Sequence, residues 1–260
     1  MSNVHFGYEN RFLAGTLLVT SESAALPAEN LRSPEGSPAR AWQTEDGVLS
    51  ATLHLDAGAS VTWRDFALAG TNLTPDATVR IRLGPTQFTL NQHDSGLLPG
   101  PVRGYRQVVH IAPTERTARW LRIDISDPGN PDGNLNIPLA FAGPVWQPDI
   151  NISPSSAYSP TGRTTERETQ NGGLLVRPEF YRRGYVLAHD ATTEAEQWLQ
   201  VEEMARVAWT GQNILVIPTP DSEHMQREAL FGRLQTNSDF TFPYGAADLR
   251  AWRARIDERL

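Results

Sequence analysis

Val79-Arg80-Ile81-Arg82-Leu83 and Leu121-Arg122-Ile123-Asp124-Ile125 each carry an aliphatic residue at every second position with a charged one between. A side-chain period of two belongs to a strand with one face on a core and the other in water. Working outward from these two segments, further strands are predicted at 13–20, 48–55, 60–69, 105–111 and 135–141. Ser33-Pro34-Glu35-Gly36, Leu98-Pro99-Gly100-Pro101 and Asp127-Pro128-Gly129-Asn130 separate them, and proline and glycine there break helices and permit tight turns. Short strands of this kind with no convincing long helix predict an antiparallel β-sandwich for the first half of the chain.

The second half differs in character. Gly143-Pro144-Val145-Trp146-Gln147-Pro148 closes the strand-rich part, which sets a domain boundary near Pro148 and two domains at 1–148 and 149–260. The polar stretch 153–173 is long for a connection and reads as either an extended arm or a pairing segment at an interface. Thr193-Glu194-Ala195-Glu196 has the form of a capping box, and Trp198, Val201, Ala205 and Ala208 recur at helical spacing before Gly211. The main helix is therefore predicted at about 193–209. A buried strand is expected at 213–217, a short helix from Asp221 or Ser222, and a strand at 230–234. In the tail 248–260, Trp252, Ala254 and Ile256 fit a strand, whereas Leu249, Trp252, Ile256 and Leu260 fit a helix. The fold class is thus mainly β, a β-sandwich followed by a smaller sandwich-plus-helix domain.

Composition limits the chemistry. The 260 residues contain no cysteine, which removes disulfides, thiolate nucleophiles and zinc–thiolate sites. A net charge of −7 argues against sequence-independent nucleic-acid binding, which needs a positive field. No segment approaches the ~20 apolar residues of a membrane-spanning helix. The N-terminus has no basic segment leading into an apolar run, so no secretory signal is expected. All 23 basic residues are arginine, a pattern that either a GC-rich coding genome or selection for bidentate interface pairs produces.

No catalytic motif stands out. The histidines at 5, 54, 93, 110, 189 and 224 have no metal-ligand spacing, and no nucleophile elbow or phosphate loop occurs. Glu202 and Glu203 are adjacent on a helix and point about 100° apart, so they cannot flank one bond. Glycan hydrolysis would need two distant carboxylates to converge, with Asp124 or Glu166 as examples of the residues available. The chain is expected not to be an enzyme. The loop Asp127–Asn134 supplies Asp127, Asn130, Asp132 and Asn134, an oxygen set that suits calcium, though its spacing departs from the calcium-loop pattern and its dipeptides are ordinary turn formers. A turn is the expected role, with calcium as the only cofactor these residues suggest. Trp42, Trp63 and Trp120 are expected in the core, and Trp146, in the seam, is expected to be exposed.

Leu26-Pro-Ala-Glu-Asn30-Leu31 followed by Ala41-Trp42-Gln43-Thr44 resembles the opening of discoidin-like, galactose-binding-like jelly rolls. Phe66-Ala-Leu-Ala-Gly70-Thr-Asn72-Leu73 and Ala118-Arg-Trp-Leu-Arg-Ile-Asp-Ile125 are similar to later strands of that fold, and the resemblance covers about residues 12–146. Gly172-Gly-Leu-Leu-Val-Arg177, Gly211-Gln-Asn-Ile-Leu-Val-Ile-Pro218 and Leu230-Phe-Gly-Arg-Leu234, placed around the helix, resemble the β-sandwich-plus-helix module of distal tail and tail-tube proteins of tailed bacteriophages. This second resemblance favours the strand at 252–256. It implies a structural virion component of a tail tip or baseplate, made in the host cytoplasm, that docks through its second domain. Its partners would be tail tube, hub and neighbouring copies in a homo-oligomeric ring. Arg182, Arg183, Arg233 and Trp146 are then candidate interface residues. The jelly-roll resemblance implies the alternative, a carbohydrate-binding module for a host-surface glycan. That reading expects exposed aromatics beside the 127–134 loop.

Overall fold

A computed structural model of the chain describes residues 2–236 and 249–259. The chain is mainly β, and each of its segments predicted to alternate is a strand. Thr78–Gly84 and Gln107–Ser126 pair in register, so that Val79, Ile81 and Leu83 stand opposite Ile125, Ile123 and Leu121. These six side chains are buried in one cluster with Trp42, Leu53, Leu55, Trp63 and Ile137. The sheet has seven strands in the order Leu139–Gly143, Ser50–Ala69, Gln107–Ser126, Thr78–Gly84, His93–Asp94, with Thr16–Val19 and Leu98–Pro99 attached at its sides.

The strands predicted at 48–55 and 60–69 are one 20-residue strand, Ser50–Ala69, and 105–111 likewise continues into Gln107–Ser126. Pairing between the two slips at Asp56/Val61 and again at Trp63/Asp65. Bulges of this kind bend a strand without ending it. Gly58, in the first slip, has φ +77, where a side chain would be strained. The second slip also changes which face each residue presents. Before it Leu53, Leu55 and Trp63 point to the sandwich core; after it Phe66 and Leu68 do, while Ala67 and Ala69 face away.

That outward face is not wet. Ala67, Ala69, Val109, Leu139 and Phe141 form a second apolar cluster with Leu215, Ile217, Ala229 and Phe231 of the other half of the chain. The second sheet is antiparallel, in the order His5–Gly7, Ile214–Ile217, Leu230–Thr236, Leu249–Glu258, Gly184–Thr193, Ala157–Tyr158. Its opposite face buries Ile214, Val216, Leu230, Leu234, Trp252 and Ile256 against Val201, Met204 and Ala208 of the helical segment. The molecule is therefore layered as sandwich core, intersheet seam, second sheet and helix. The continuous apolar runs Ile214–Ile217 and Leu139–Gly143 are explained by burial on both faces.

The tail is a strand over Leu249–Glu258, and positions 248 and 260 lie outside the described residues. The sheets do not divide at Pro148: His5–Gly7 crosses to the second half and pairs with Ile214–Ile217. Trp146 also departs from expectation. Its backbone bridges to Phe6 in both directions at 2.9 Å, and its ring stacks on Phe6 at 5.2 Å and lies 6.4 Å from Trp252, so it is buried. The capping box forms as predicted, with Thr193 Oγ1 accepting from the Glu196 amide at 3.2 Å and Glu196 Oε2 accepting from the Thr193 amide at 3.1 Å. The turn after it, Gln197–Val201, is π-helical. The inward stripe is Gln197, Val201, Met204, Ala205 and Ala208, which leaves Trp198 56% exposed beneath the Arg250 guanidinium.

Phe141 is fully buried in the seam, 5.7 Å from the Phe231 ring. Phe141→Ala is expected to lower unfolding stability by about 3–5 kcal/mol in urea titration, the range for removing a buried aromatic. A loss under 1 kcal/mol would show that the seam does not hold the halves together.

Candidate functional site

The 127–134 loop is a self-satisfied turn. Asp127 is buried, with Oδ2 accepting from the Thr74 amide at 2.8 Å and Oδ1 from the Thr74 hydroxyl at 2.7 Å. Asn130 donates to Asp127 Oδ2 and to the Asn72 carbonyl, and its own oxygen accepts from the Asp132 amide. Asn72 donates to Asp132 and to the Asn134 carbonyl. The side-chain oxygens of Asp127, Asn130 and Asp132 thus already receive N–H and O–H donors from the chain. Among the described residues no three His, Cys, Asp or Glu side chains are grouped to hold a metal ion.

The carboxylates are apart too. Asp124 lies on the sandwich sheet, bonded to Arg82 at 2.6 Å and Arg122 at 2.7 Å, whereas Glu166 lies in a separate two-stranded hairpin. His93 and His110 do meet, Nε2 to Nε2 at 2.8 Å, with both rings stacked over Phe66. Burial and the neighbouring His93 push His110 down to about 4.

Of the candidate interface residues, Arg183 and Trp146 are engaged inside the chain. Arg183 bonds Glu258 at 2.5 Å, Gln107 at 2.9 Å, and the carbonyls of Arg227 and Ala229 at 3.0 and 3.1 Å. It therefore ties the sandwich to the second sheet instead of facing a neighbour. Arg182 is half-buried, its guanidinium 5.2 Å from the Phe180 ring, and Arg233 is exposed.

Arg183 forms part of the wall of a cleft of about 480 Å³ between the halves, which no local motif marks. Tyr105 and Arg106 come from the sandwich, Tyr158 and Tyr181 from the start of the second half, and Glu258 and Arg259 from the last strand and its end. The sandwich corner is rigid. Arg106 has φ 50, the one positive φ outside glycine among the described residues. Its Nε and Nη2 donate to the carbonyls of Thr71 and Gly70 at 3.0 and 2.8 Å, and its own carbonyl accepts from the Thr71 amide at 3.0 Å. A non-glycine residue held in this region by surrounding contacts is a mark of functional surfaces.

The aromatic wall is ordered by its hydroxyls. Tyr158 and Tyr181 hydrogen-bond each other at 2.7 Å, and both rings stay about half exposed or more. Burial, then the Tyr181 hydroxyl, raises the Tyr158 phenol above the usual range, so it is neutral and able to donate. Tyr105 lies against the Arg183 guanidinium at 5.3 Å. On the third side, Arg259 donates to Asn213 at 3.1 Å and to the Gly211 carbonyl at 3.1 Å. Burial, then the nearby Arg233, lowers its pKa; Glu35 opposes the fall and Arg182 adds to it. In a chain of net charge −7 this corner is locally cationic. A cluster of like charges of that kind is relieved by an anion.

No protein-family model matches the chain, and no curated protein matches it. Among solved structures it is similar to chitosan-binding module 1 from the chitosanase/glucanase of Paenibacillus sp. IK-5, with 18% identity over 52% of this chain and 99% of that one, TM-score 0.42. It is also similar to the lectin domain of lectinolysin complexed with Lewis b antigen, with 12% identity over 52% of this chain and 95% of that one, TM-score 0.40. A third is CpGH89CBM32-6 produced by Clostridium perfringens, with 13% identity over 54% of this chain and 99% of that one, TM-score 0.41.

Exposed aromatics occur at the cleft, in Tyr158 and Tyr181. Gly104-Tyr105-Arg106 carried a faint signal, an aromatic and a cation set in a turn, but Tyr158, Tyr181 and Arg259 reach the cleft only through tertiary folding.

The histidine pair gives a pH prediction. His110 binds its proton less readily in the folded state than in the unfolded chain, so the unfolded state holds more protons between about 6.5 and 4. Stability is fully present above pH ~6.5 and falls as pH drops toward 4, by about 2 kcal/mol after allowance for the partial exposure of the ring. His110→Gln is expected to flatten that slope in denaturant titrations at stepped pH.

Proposed function

We propose that this protein is a non-catalytic glycan-binding module whose ligand site is the cleft between its halves, and that the preferred ligand is an acidic saccharide. The observation that carries the reading is the joint presence of Tyr158 and Tyr181 as exposed rings and Arg259 as a crowded guanidinium on one 480 Å³ cleft. Ring faces stack on the C–H faces of a sugar, and phenol hydroxyls meet its hydroxyls. A guanidinium takes a carboxylate or sulfate through two parallel hydrogen bonds. Arg183 and Glu258 neutralise each other and hold the floor, so they position the site without contributing free charge.

The projecting hairpin at residues 161–182 favours assembly with further copies as a second reading. A place in a phage tail tip rests on the resemblance of the second half alone, and no feature of the structure adds to it.

Screening on a glycan array of neutral and acidic oligosaccharides, followed by calorimetry, tests the main reading. Binding is expected to favour uronate- or sialate-bearing glycans without a calcium requirement. Tyr181→Ala and Arg259→Ala are each expected to weaken it about tenfold, or about 1.4 kcal/mol. Arg259→Ala is further expected to erase the preference for acidic over neutral sugars. Binding that depends on calcium, or that survives both substitutions, would place the site elsewhere.

A further inference from the structure

Of the stretch 153–173, read as an extended arm or a pairing segment, Ala157–Tyr158 joins the edge of the second sheet and residues from Thr161 on form a β-hairpin. Thr161–Glu168 pairs antiparallel with Leu174–Arg182 as a separate two-stranded sheet, joined to the rest of the molecule only through its root. A two-stranded hairpin standing in water is marginally stable unless another surface covers it. This one exposes Leu174, Leu175 and Val176 at 60%, 60% and 51%.

The register sorts its charges by face. Residues directly opposite in an antiparallel pair project to the same side. Glu166 stands opposite Val176 and Glu168 opposite Leu174, so one face of the distal hairpin carries two carboxylates and two aliphatic side chains. Thr165 stands opposite Arg177 and Arg167 opposite Leu175, so the other face carries two guanidinium groups around a leucine, with the Thr165 hydroxyl donating to the Glu179 carboxylate that Arg163 neutralises at the root end. Among the described residues none of these four charges has an ion-pair partner within the chain, whereas Arg163 and Glu179 nearer the root pair with each other. One hairpin thus presents an acidic-aliphatic face and a basic-aliphatic face of matching size, back to back.

We infer that the hairpin is a self-association element in which the Glu166/Glu168 face of one copy packs on the Arg167/Arg177 face of the next. Two identical faces brought together would oppose like charges, so a two-fold dimer through either face is disfavoured. Head-to-tail stacking satisfies both faces and buries the leucines. A contact of this heterologous kind closes into a ring or continues as a filament, according to the rotation between copies. The opposite faces also give a chain of net charge −7 a local attraction to its own copies.

The experiment is sedimentation of the full chain across a concentration series at low and high salt. Two face-reversal variants are compared, Glu166→Arg/Glu168→Arg and Arg167→Glu/Arg177→Glu. The wild type is expected to self-associate, less so at high salt. Each variant alone carries like charge on both faces and is expected to weaken association about tenfold or more. An equimolar mixture of the two is expected to re-associate, because each then offers the face the other lacks. The fourfold variant that exchanges the faces is expected to behave as wild type, which separates loss of the interface from loss of the fold. A wild type that stays monomeric throughout would overturn the inference. So would association that neither variant changes, the signature of edge-to-edge strand pairing, or a mixture that fails to recover.

Discussion

The architecture depends on one apolar seam. Ala67, Ala69, Val109, Leu139 and Phe141 form the back of the sandwich sheet, and Leu215, Ile217, Ala229 and Phe231 form the facing side of the second sheet. Where both faces of a strand are buried, as in Leu139–Gly143 and Ile214–Ile217, the sheets cannot slide without exposing one apolar set or the other. The slip between Trp63 and Asp65 makes this possible, because it turns alternate residues of one long strand toward the seam in its second half while the first half stays committed to the sandwich core. The small side chains Ala67 and Ala69 let the sheets approach closely, and Phe141 and Phe231 fill the remaining depth.

Polar contacts then fix the orientation that burial alone would leave free. Arg183, Gln107 and Gln226 bond across the seam: Gln107 donates to the carbonyls of Gln226 and Ala229, and Gln226 accepts from the Val109 amide. At the other end His5 meets Asp65 at 2.9 Å, both fully buried, one on each sheet. Burial raises the Asp65 carboxyl and the His5 contact opposes that rise. Such pairs are weak as net stabilisers but costly to break, so they favour one docking of the halves over its alternatives. The cleft is a by-product of that docking: its walls are the rims of two sheets that the seam holds at a fixed separation.

The strands were legible because period-two alternation is a local property, and Val79–Leu83 and Leu121–Ile125 displayed it plainly. So was the capping box at Thr193, whose four residues contain the whole interaction. What was not legible depended on distant partners. Trp146 read as exposed because a Pro/Gly-rich seam usually is, and only the crossing of residues 5–7 to the second sheet covers it. Arg183 read as a contact for other copies because the resemblance of the second half implies ring assembly; its partner Glu258 lies at the far end of the chain. Trp198 fitted the helical stripe by spacing, yet Gln197 takes the inward place and Trp198 turns out. The 127–134 loop showed the right oxygens without showing that Asn72 and Thr74 already occupy them.

The hairpin and the cleft meet at one residue. Tyr181 belongs to the strand Leu174–Arg182, whose distal part carries the two charged faces, and its hydroxyl meets Tyr158 at the cleft wall. Its register partner is Gly162, the one position in Thr161–Glu168 without a side chain, so the Tyr181 ring has no cross-strand neighbour on its own face there. Its position is set by the hydroxyl contact with Tyr158. Packing of a second copy on the distal faces would restrain the strand that carries Tyr181, the ring that closes one side of the cleft. Ligand binding and self-association would then be linked through a single strand: whichever restrains the hairpin first lowers the ordering cost of the other.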